Sequence, residues 1–387
     1  MLKAMRSGRQ PCPPPQVQLG SARGLSLPPG GFALSTWLFT CRHTFEETLC
    51  EELSGLAGVL RVAPVLPGLV RAQIDRALAV APDALQRLDP VYALQVLPNA
   101  QPVQAASIKG LTEGLLALAA PEFVAGLESW DVHALVPGQL KGTPKPLMQR
   151  RAELVAEAVV AGIRERHRKL SKLRPVTGQN PALLLQILLL DPGNAWVSAS
   201  SVQALPPAAS WPSRLPAGLA EVADDPIAPA SSFRKLEEAL ACLGELPQPE
   251  ATAVDLGASP GGWTRVMRKA GAQVTAVDRA ALAPHLATDP GVQSVMGDAF
   301  AWRPPQQVDW LVSDIIAYPE RVSELLDAWC SAQLARRFVV QMKFKRGPDW
   351  EELQRALETA RSHGYFARAK HFFNDKNEVT LMGALPN

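Results

Sequence analysis

The stretch from Ala253 to Gly271, AVDLGASPGGWTRVMRKAG, has the residue types needed to hold a small charged ligand. Apolar Val254 and Leu256 read as a buried strand. Gly257, Gly261 and Gly262 permit a sharp turn and a close approach of ligand to backbone. Val266, Met267 and Ala270 then recur at helical spacing. A strand that feeds a helix through glycines presents free backbone N–H groups at a topological switch point. Three ligands suit such a loop. Gly257, Gly262, Trp263 and Thr264 nearly spell a phosphate-binding loop, but Trp263 stands where that loop requires lysine. Ser259 occupies the middle glycine position of a dinucleotide loop, which weakens the case for a nicotinamide cofactor. S-adenosylmethionine remains, with a sulfonium, a ribose and an adenine but no phosphate. A side chain at Gly261 is expected to enter the ligand's space.

Acidic residues at later strand ends fit that ligand. GAQVTAVD reads as a strand ending at Asp278, where a ribose acceptor is expected. Val292 to Gly297 reads as another, followed by Asp298 in position for an adenine contact. VDWLVSDI places Asp314 near the carboxyl end of a fourth strand, and RFVVQMKFK places Lys343 near the end of a fifth. One aspartate after a strand is often only a helix cap. Three in order after a glycine loop favour a cofactor site. Lys343 sits among Val339, Val340, Met342 and Phe344, a buried-strand pattern in which an unpaired lysine is costly.

DLGASPGGW, the preceding SSFRKLEEA and the later VSDI, QMKF and NEVTL together resemble the RrmJ/FtsJ-like class of RNA ribose 2′-O-methyltransferases. The resemblance is strong from Ser231 to Leu385. It implies a catalytic set of Lys235, Asp314, Lys343 and Glu378. It also implies cofactor contacts from Ser232, Asp255, Gly257, Ser259, Pro260, Gly261, Gly262, Trp263, Asp278, Asp298 and Asp314, with no metal. The upstream half resembles the RlmM type of bacterial enzyme, which methylates a cytidine ribose in large-subunit 23S ribosomal RNA.

Methyl transfer to a ribose hydroxyl is an in-line displacement at carbon. The sulfonium needs little help, but the hydroxyl needs a base or a cationic environment. A lysine serves as base only when neutral, a form favoured by desolvation or a neighbouring cation. Lys343 is therefore expected as the base and Lys235 as its cationic neighbour. Asp314 would orient Lys343 beside the sulfonium, and Glu378 would hold a lysine or the ribose. Two other functions compete. A base methyltransferase would carry an N/D-P-P-Y/F loop after the fourth strand, where SDIIAYPE stands, or a nucleophilic cysteine, whereas Cys330 falls in a helical pattern. An RNA-binding ribosome-assembly factor could keep the fold without the reaction.

The rest of the chain must position this centre. Residues 1–33, rich in Pro, Gly, Ser and Gln, read as a disordered tail. A small α/β domain is expected over 34–90, with a capping box in which Thr44 caps and Glu47 reaches back. Residues 91–205 resemble a THUMP domain, an RNA-binding module. Their expected long helix, Met148 to Lys172, carries Arg164, Arg168 and Lys172 along one face, a plausible phosphate-binding stripe. Residues 206–230 are Pro-rich and read as a linker. Residues 231–387 read as a Rossmann-like α/β methyltransferase domain closed by an antiparallel hairpin. The whole has 387 residues, 47% hydrophobic content and a net charge of +2, so attraction to RNA must come from local patches. Five scattered cysteines without a C-x-x-C spacing argue against structural zinc and disulfides. No apolar stretch has membrane-spanning length. A cytoplasmic monomer is expected.

Overall fold

The computed structural model describes residues 34–123, 129–137, 146–166, 170–173, 180–206 and 208–386. The first unit is an antiparallel sheet of β1 (Leu34–Thr40), β2 (Val59–Leu66), β3 (Leu69–Asp75) and β4 (Gln95–Leu97), in the order β2-β3-β1-β4. Helix α1 (Glu46–Ser54) packs Leu49 and Leu53 into its core beside Trp37 and Phe39, and the short α2 (Arg76–Ala79) and α3 (Ala84–Arg87) follow. The boundary expected at residue 90 falls before β4, which pairs with β1 and so belongs to this sheet. The expected capping box does not form. Thr44 adopts a left-handed conformation with φ of 81°, and no side chain caps this helix end. Glu46, not Glu47, reaches back and accepts from the Thr44 N–H at 2.9 Å.

The second unit has β5 (Gln101–Gln104), β6 (Trp130–Leu135), β7 (Leu183–Asp191) and β8 (Asn194–Ser201), in the order β5-β8-β7-β6. The continuous apolar run of β7 is buried on both faces, as its composition requires. Helices α4 (Ile108–Phe123) and α5 (Pro146–Arg166) cover the sheet. The described part of α5 ends at Arg166, and Lys172 lies in a separate single turn, Leu170–Leu173. Arg168 lies outside the described residues, so the expected three-residue stripe is not one continuous helix face within them.

The Pro-rich segment is a packed strap and not a free linker. Within it β10 (Ala208–Trp211) pairs with β9 (Gln203–Leu205). Trp211 is buried and donates to the Leu88 carbonyl at 3.1 Å. Gln95 donates to the Ser213 carbonyl at 2.8 Å, and Thr40 to the Ala217 carbonyl at 3.1 Å. Asp225 closes the strap with a bidentate pair to Arg265.

The third unit begins with α6 (Phe233–Leu243), then β11 (Thr252–Leu256), α7 (Gly262–Lys269), β12 (Gln273–Asp278), α8 (Pro284–Ala287) and β13 (Val292–Met296). It continues through β14 (Val308–Ser313), α9 (Pro319–Ser331), β15 (Ala335–Lys343), α10 (Trp350–Ser362), β16 (Phe366–Lys370) and β17 (Glu378–Ala384). The seven strands run in the order β13-β12-β11-β14-β15-β17-β16, parallel as far as β15, with β17 antiparallel to both its neighbours. Strand residues alternate between two apolar layers. Val339 joins Leu236, Trp263 and Met267 on the α6–α7 side, whereas Val340 joins Leu326, Trp329 and Leu353 on the α9–α10 side. Each such side chain stabilises the fold by roughly 1.5–3 kcal/mol through burial. The chain runs outward from β11 through β12 to β13, then returns to place β14 on the other flank of β11. A crevice for ligands therefore opens at the carboxyl ends of β11 and β14.

A buried ionic cluster ties the first unit to the third. Asp89 accepts from Nε and Nη2 of Arg368, at 2.7 and 2.6 Å, and from the Lys370 ammonium at 2.6 Å. Lys370 also donates to the Pro90 carbonyl and lies 4.1 Å from the centre of the Trp211 ring. Burial lowers the pKa of Lys370, which makes its carboxylate partner the more necessary. Asp89→Ala leaves two cations buried without their counter-charge, and is expected to cost about 3–5 kcal/mol. Chemical denaturation of the full chain measures it; a loss under about 1 kcal/mol is the size of an exposed pair and would refute the clamp.

Candidate active site

The glycine loop between β11 and α7 forms one wall of a cleft of about 310 Å³. Gly257 has φ of 75°, and a Cβ there would press on Ile315 at 3.0 Å, so glycine is required. The lining includes Asp255, Asp278 and Asp314 against one cation, Lys343, together with Ser232 and Trp263. A lining rich in carboxyl groups, with a single amine, suits a cationic ligand with hydroxyls better than a phosphate. That lining chemistry fits S-adenosylmethionine and separates it from the two phosphate-bearing ligands. Asp278 is the last residue of β12 and receives the Ser259 N–H at 2.9 Å, which fixes its carboxylate against the loop. Thr264 donates to Asp255 at 2.7 Å in the buried floor, and burial pushes the Asp255 carboxyl up to about 7.

The four expected catalytic residues converge at one side of this cleft. Lys343 ends β15, and its Nζ lies 2.7 Å from Asp314 Oδ1, donating also to the Asp314 and Ile315 carbonyls. Lys235, from α6, reaches the same Asp314 oxygen at 3.4 Å and Glu378 Oε1 at 2.6 Å. Glu378 opens β17 directly opposite Lys343 in the strand register. Burial opposes the Lys235 charge, but Asp314 and Glu378 outweigh it and hold its pKa above the usual value. Burial likewise opposes ionisation of Glu378, and Lys235 overcomes it, so its carboxyl sits below the ordinary range.

Two buried carboxyl groups with no sequence signature of their own set this geometry. Glu238 accepts the Phe373 and Asn374 N–H groups and the Asn374 amide, each at 2.8 Å, pinning α6 to the β16–β17 turn. Asp375, whose pKa burial raises well above normal, accepts from the Phe372 N–H and the Thr380 hydroxyl. Trp263 donates to the Ser232 carbonyl at 2.9 Å and so ties the start of α6 to the loop. In the sequence Glu238 is only one acid on an amphipathic helix, and Asp375 only a turn residue.

Residues 230–378 match the family model of the FtsJ-like methyltransferases. The ribosomal RNA large subunit methyltransferase M of Halorhodospira halophila is 32% identical over 359 residues, covering 90% of this chain and 96% of that protein. The chain belongs to the ribosomal RNA large subunit methyltransferase M family. The protein of the same name from Xanthomonas oryzae pv. oryzae is 30% identical over 370 residues, covering 90% of this chain and 99% of the relative. The likeness therefore extends through both upstream units and is not confined to the methyltransferase domain.

Within this family member, the cleft gathers most but not all of the residues expected to hold cofactor. Ser232, Asp255, Gly257, Ser259, Pro260, Gly262, Trp263, Asp278 and Asp314 line it. Asp298 does not; it lies beyond β13, half-exposed, with its carboxylate on Arg279 and the Phe300 N–H. Gly261 is also outside the lining. A Cβ there would meet Leu286 Cδ1 at 2.3 Å, and a substitution at this left-handed position (φ 112°) is strained whatever the space. No group of three or more potential metal ligands occurs among the described residues. Among the same residues, no helix is long and apolar enough to cross a membrane.

The raised pKa of Asp255 carries a pH dependence. The folded chain holds this proton with a pKa of about 7, against 3.8 for an ordinary aspartate. The stability it contributes is full below the lower value and is lost as pH rises through the higher one. Asp255→Asn is expected to flatten that decline, in the difference between wild-type and variant denaturation curves from acid to pH 8. Parallel curves across this window would contradict a buried, protonated Asp255.

Proposed function

We propose that the chain transfers the methyl group of S-adenosylmethionine to a ribose 2′-hydroxyl of large-subunit ribosomal RNA, with Lys343 as general base. The observation that carries this reading is the convergence of Lys343, Lys235, Asp314 and Glu378 at the edge of the glycine-loop cleft. The bound cofactor supplies a methyl group already activated by its sulfonium. The protein's own work is on the hydroxyl. Three oxygens, Asp314 Oδ1 and the Asp314 and Ile315 carbonyls, hold Lys343 Nζ in place. When that ammonium has lost a proton, the neutral amine keeps at most two of these contacts, turns its lone pair to the hydroxyl and takes the hydroxyl proton. Lys235 stays charged between its two carboxylates and stabilises the emerging alkoxide. Glu378 keeps Lys235 from competing as the base. The resemblance of the upstream half supports a cytidine as the target nucleotide. The second unit, with Arg164 and its neighbours, grips RNA away from the reaction.

Lys343→Ala is expected to lower the single-turnover rate by about 10²–10⁴-fold, the usual worth of general-base catalysis. Cofactor affinity, read by calorimetry, changes far less. Lys343→Arg does not restore the rate, because guanidinium cannot accept a proton at working pH. An Arg variant with near wild-type activity would show that position 343 supplies only positive charge.

A further inference from the structure

Two cavities meet at the catalytic residues. The cofactor cleft ends on Lys343 and Asp314. A second groove, of about 670 Å³, ends on Lys235 and Glu378. Ser232 borders both, and the 3.4 Å contact of Lys235 with Asp314 forms part of the partition. A donor in the first cavity and an acceptor in the second would meet at this partition. The second groove is therefore the side from which the acceptor approaches.

The far wall of that groove comes from the first unit. Arg42, His43 and Thr44, just after β1, face Asn374 and Lys376 of the β16–β17 turn. The loop is held firmly. Phe45 lies 4.1 Å from the His371 ring, which stacks at 4.8 Å on Tyr92. Burial drives the His371 pKa down to about 4, so this stack stays neutral. The charges of the groove are not balanced. Arg234 pairs with Asp224, and Glu378 is matched by Lys235. Among the described residues, the Arg42 guanidinium and the Lys376 ammonium have neither an ion pair nor a hydrogen bond. Arg42 lies over the Phe45 ring at 5.8 Å and near the buried Glu238, and Lys376 is exposed on the turn. Two cations without an ion-pair partner beside a ribose-modifying centre suit a polyanion whose charges flank that ribose.

Resting on the ribose-methylation reading, we propose that Arg42 and Lys376 bind the backbone phosphates on either side of the target nucleotide. The first unit thereby completes the substrate site of the third. Removing either cation should make the log–log dependence of RNA affinity on salt shallower by about 0.7–0.9. The test uses the full chain and a large-subunit rRNA fragment, with binding and methyl transfer measured separately. Arg42→Ala and Lys376→Ala should each weaken RNA binding by about 5- to 20-fold at low salt and flatten the salt slope. The effect should appear in KM more than in kcat, with S-adenosylmethionine affinity unchanged. Arg42→Lys should recover most of the salt slope, which a merely structural role for Arg42 would not predict. If transfer proceeds but neither alanine variant alters affinity or salt slope, the groove assignment is wrong and the reaction reading stands. If no ribose is methylated yet both variants lose RNA affinity, the groove assignment holds and the reaction reading falls. A wild-type chain that binds no RNA overturns the assignment outright.

Discussion

One carboxylate oxygen, Asp314 Oδ1, receives two ammonium groups, Lys343 at 2.7 Å and Lys235 at 3.4 Å. Those lysines come from the end of a parallel strand and from a helix that precedes the whole sheet. Without the shared carboxylate, two partly buried cations would face each other with no counter-charge between them. Glu378 relieves the second of them. The four charges balance, and the arrangement persists only because α6, β14, β15 and β17 are all held in register. Glu238 and Asp375 do that holding from beneath, through backbone N–H groups of the β16–β17 turn. A half-satisfied buried network is costly, so this turn and α6 are fixed as one piece.

The upstream units depend on the same turn. His371, which leads into it, stacks on Tyr92 and packs at a tilt against Phe45 of the first unit. Lys370 and Arg368, just before it, grip Asp89. The segment expected as a linker runs between these contacts, buries Trp211 and supplies carbonyls to Gln95 and Thr40. The first unit is thus fastened where it reaches the groove beside Lys235. Its position follows from the ionic cluster and the aromatic stack and owes nothing to chain connectivity alone.

The catalytic domain is legible in the sequence because its signals are local. The glycines, the apolar strands and the acids at strand ends follow from short-range geometry, and the structure places Asp278, Asp314 and Lys343 at the expected ends. Lys235 and Glu378 carry no such signal; only their resemblance to a family pattern marks them. Glu238, Asp375 and Arg42 are silent in the sequence because their roles arise from partners distant along the chain, as Glu238 is from Phe373. Thr44 misleads because a sequence cannot show the left-handed backbone it adopts. Prolines between 206 and 230 mislead because proline rigidity serves a packed strap as well as a loose one. Asp298 follows its strand as expected, and its carboxylate pairs with Arg279.

The central claim is that this balanced set of four charges serves a ribose hydroxyl. The most direct measurement supplies the protein with isotopically labelled S-adenosylmethionine and large-subunit rRNA from cells lacking its gene. Nuclease digestion and mass spectrometry then locate the label. The account predicts one methyl group on the 2′-oxygen of a single nucleotide, absent when Asp314 is replaced by Ala. Label on a base, or equal labelling by the Asp314→Ala variant, would contradict it.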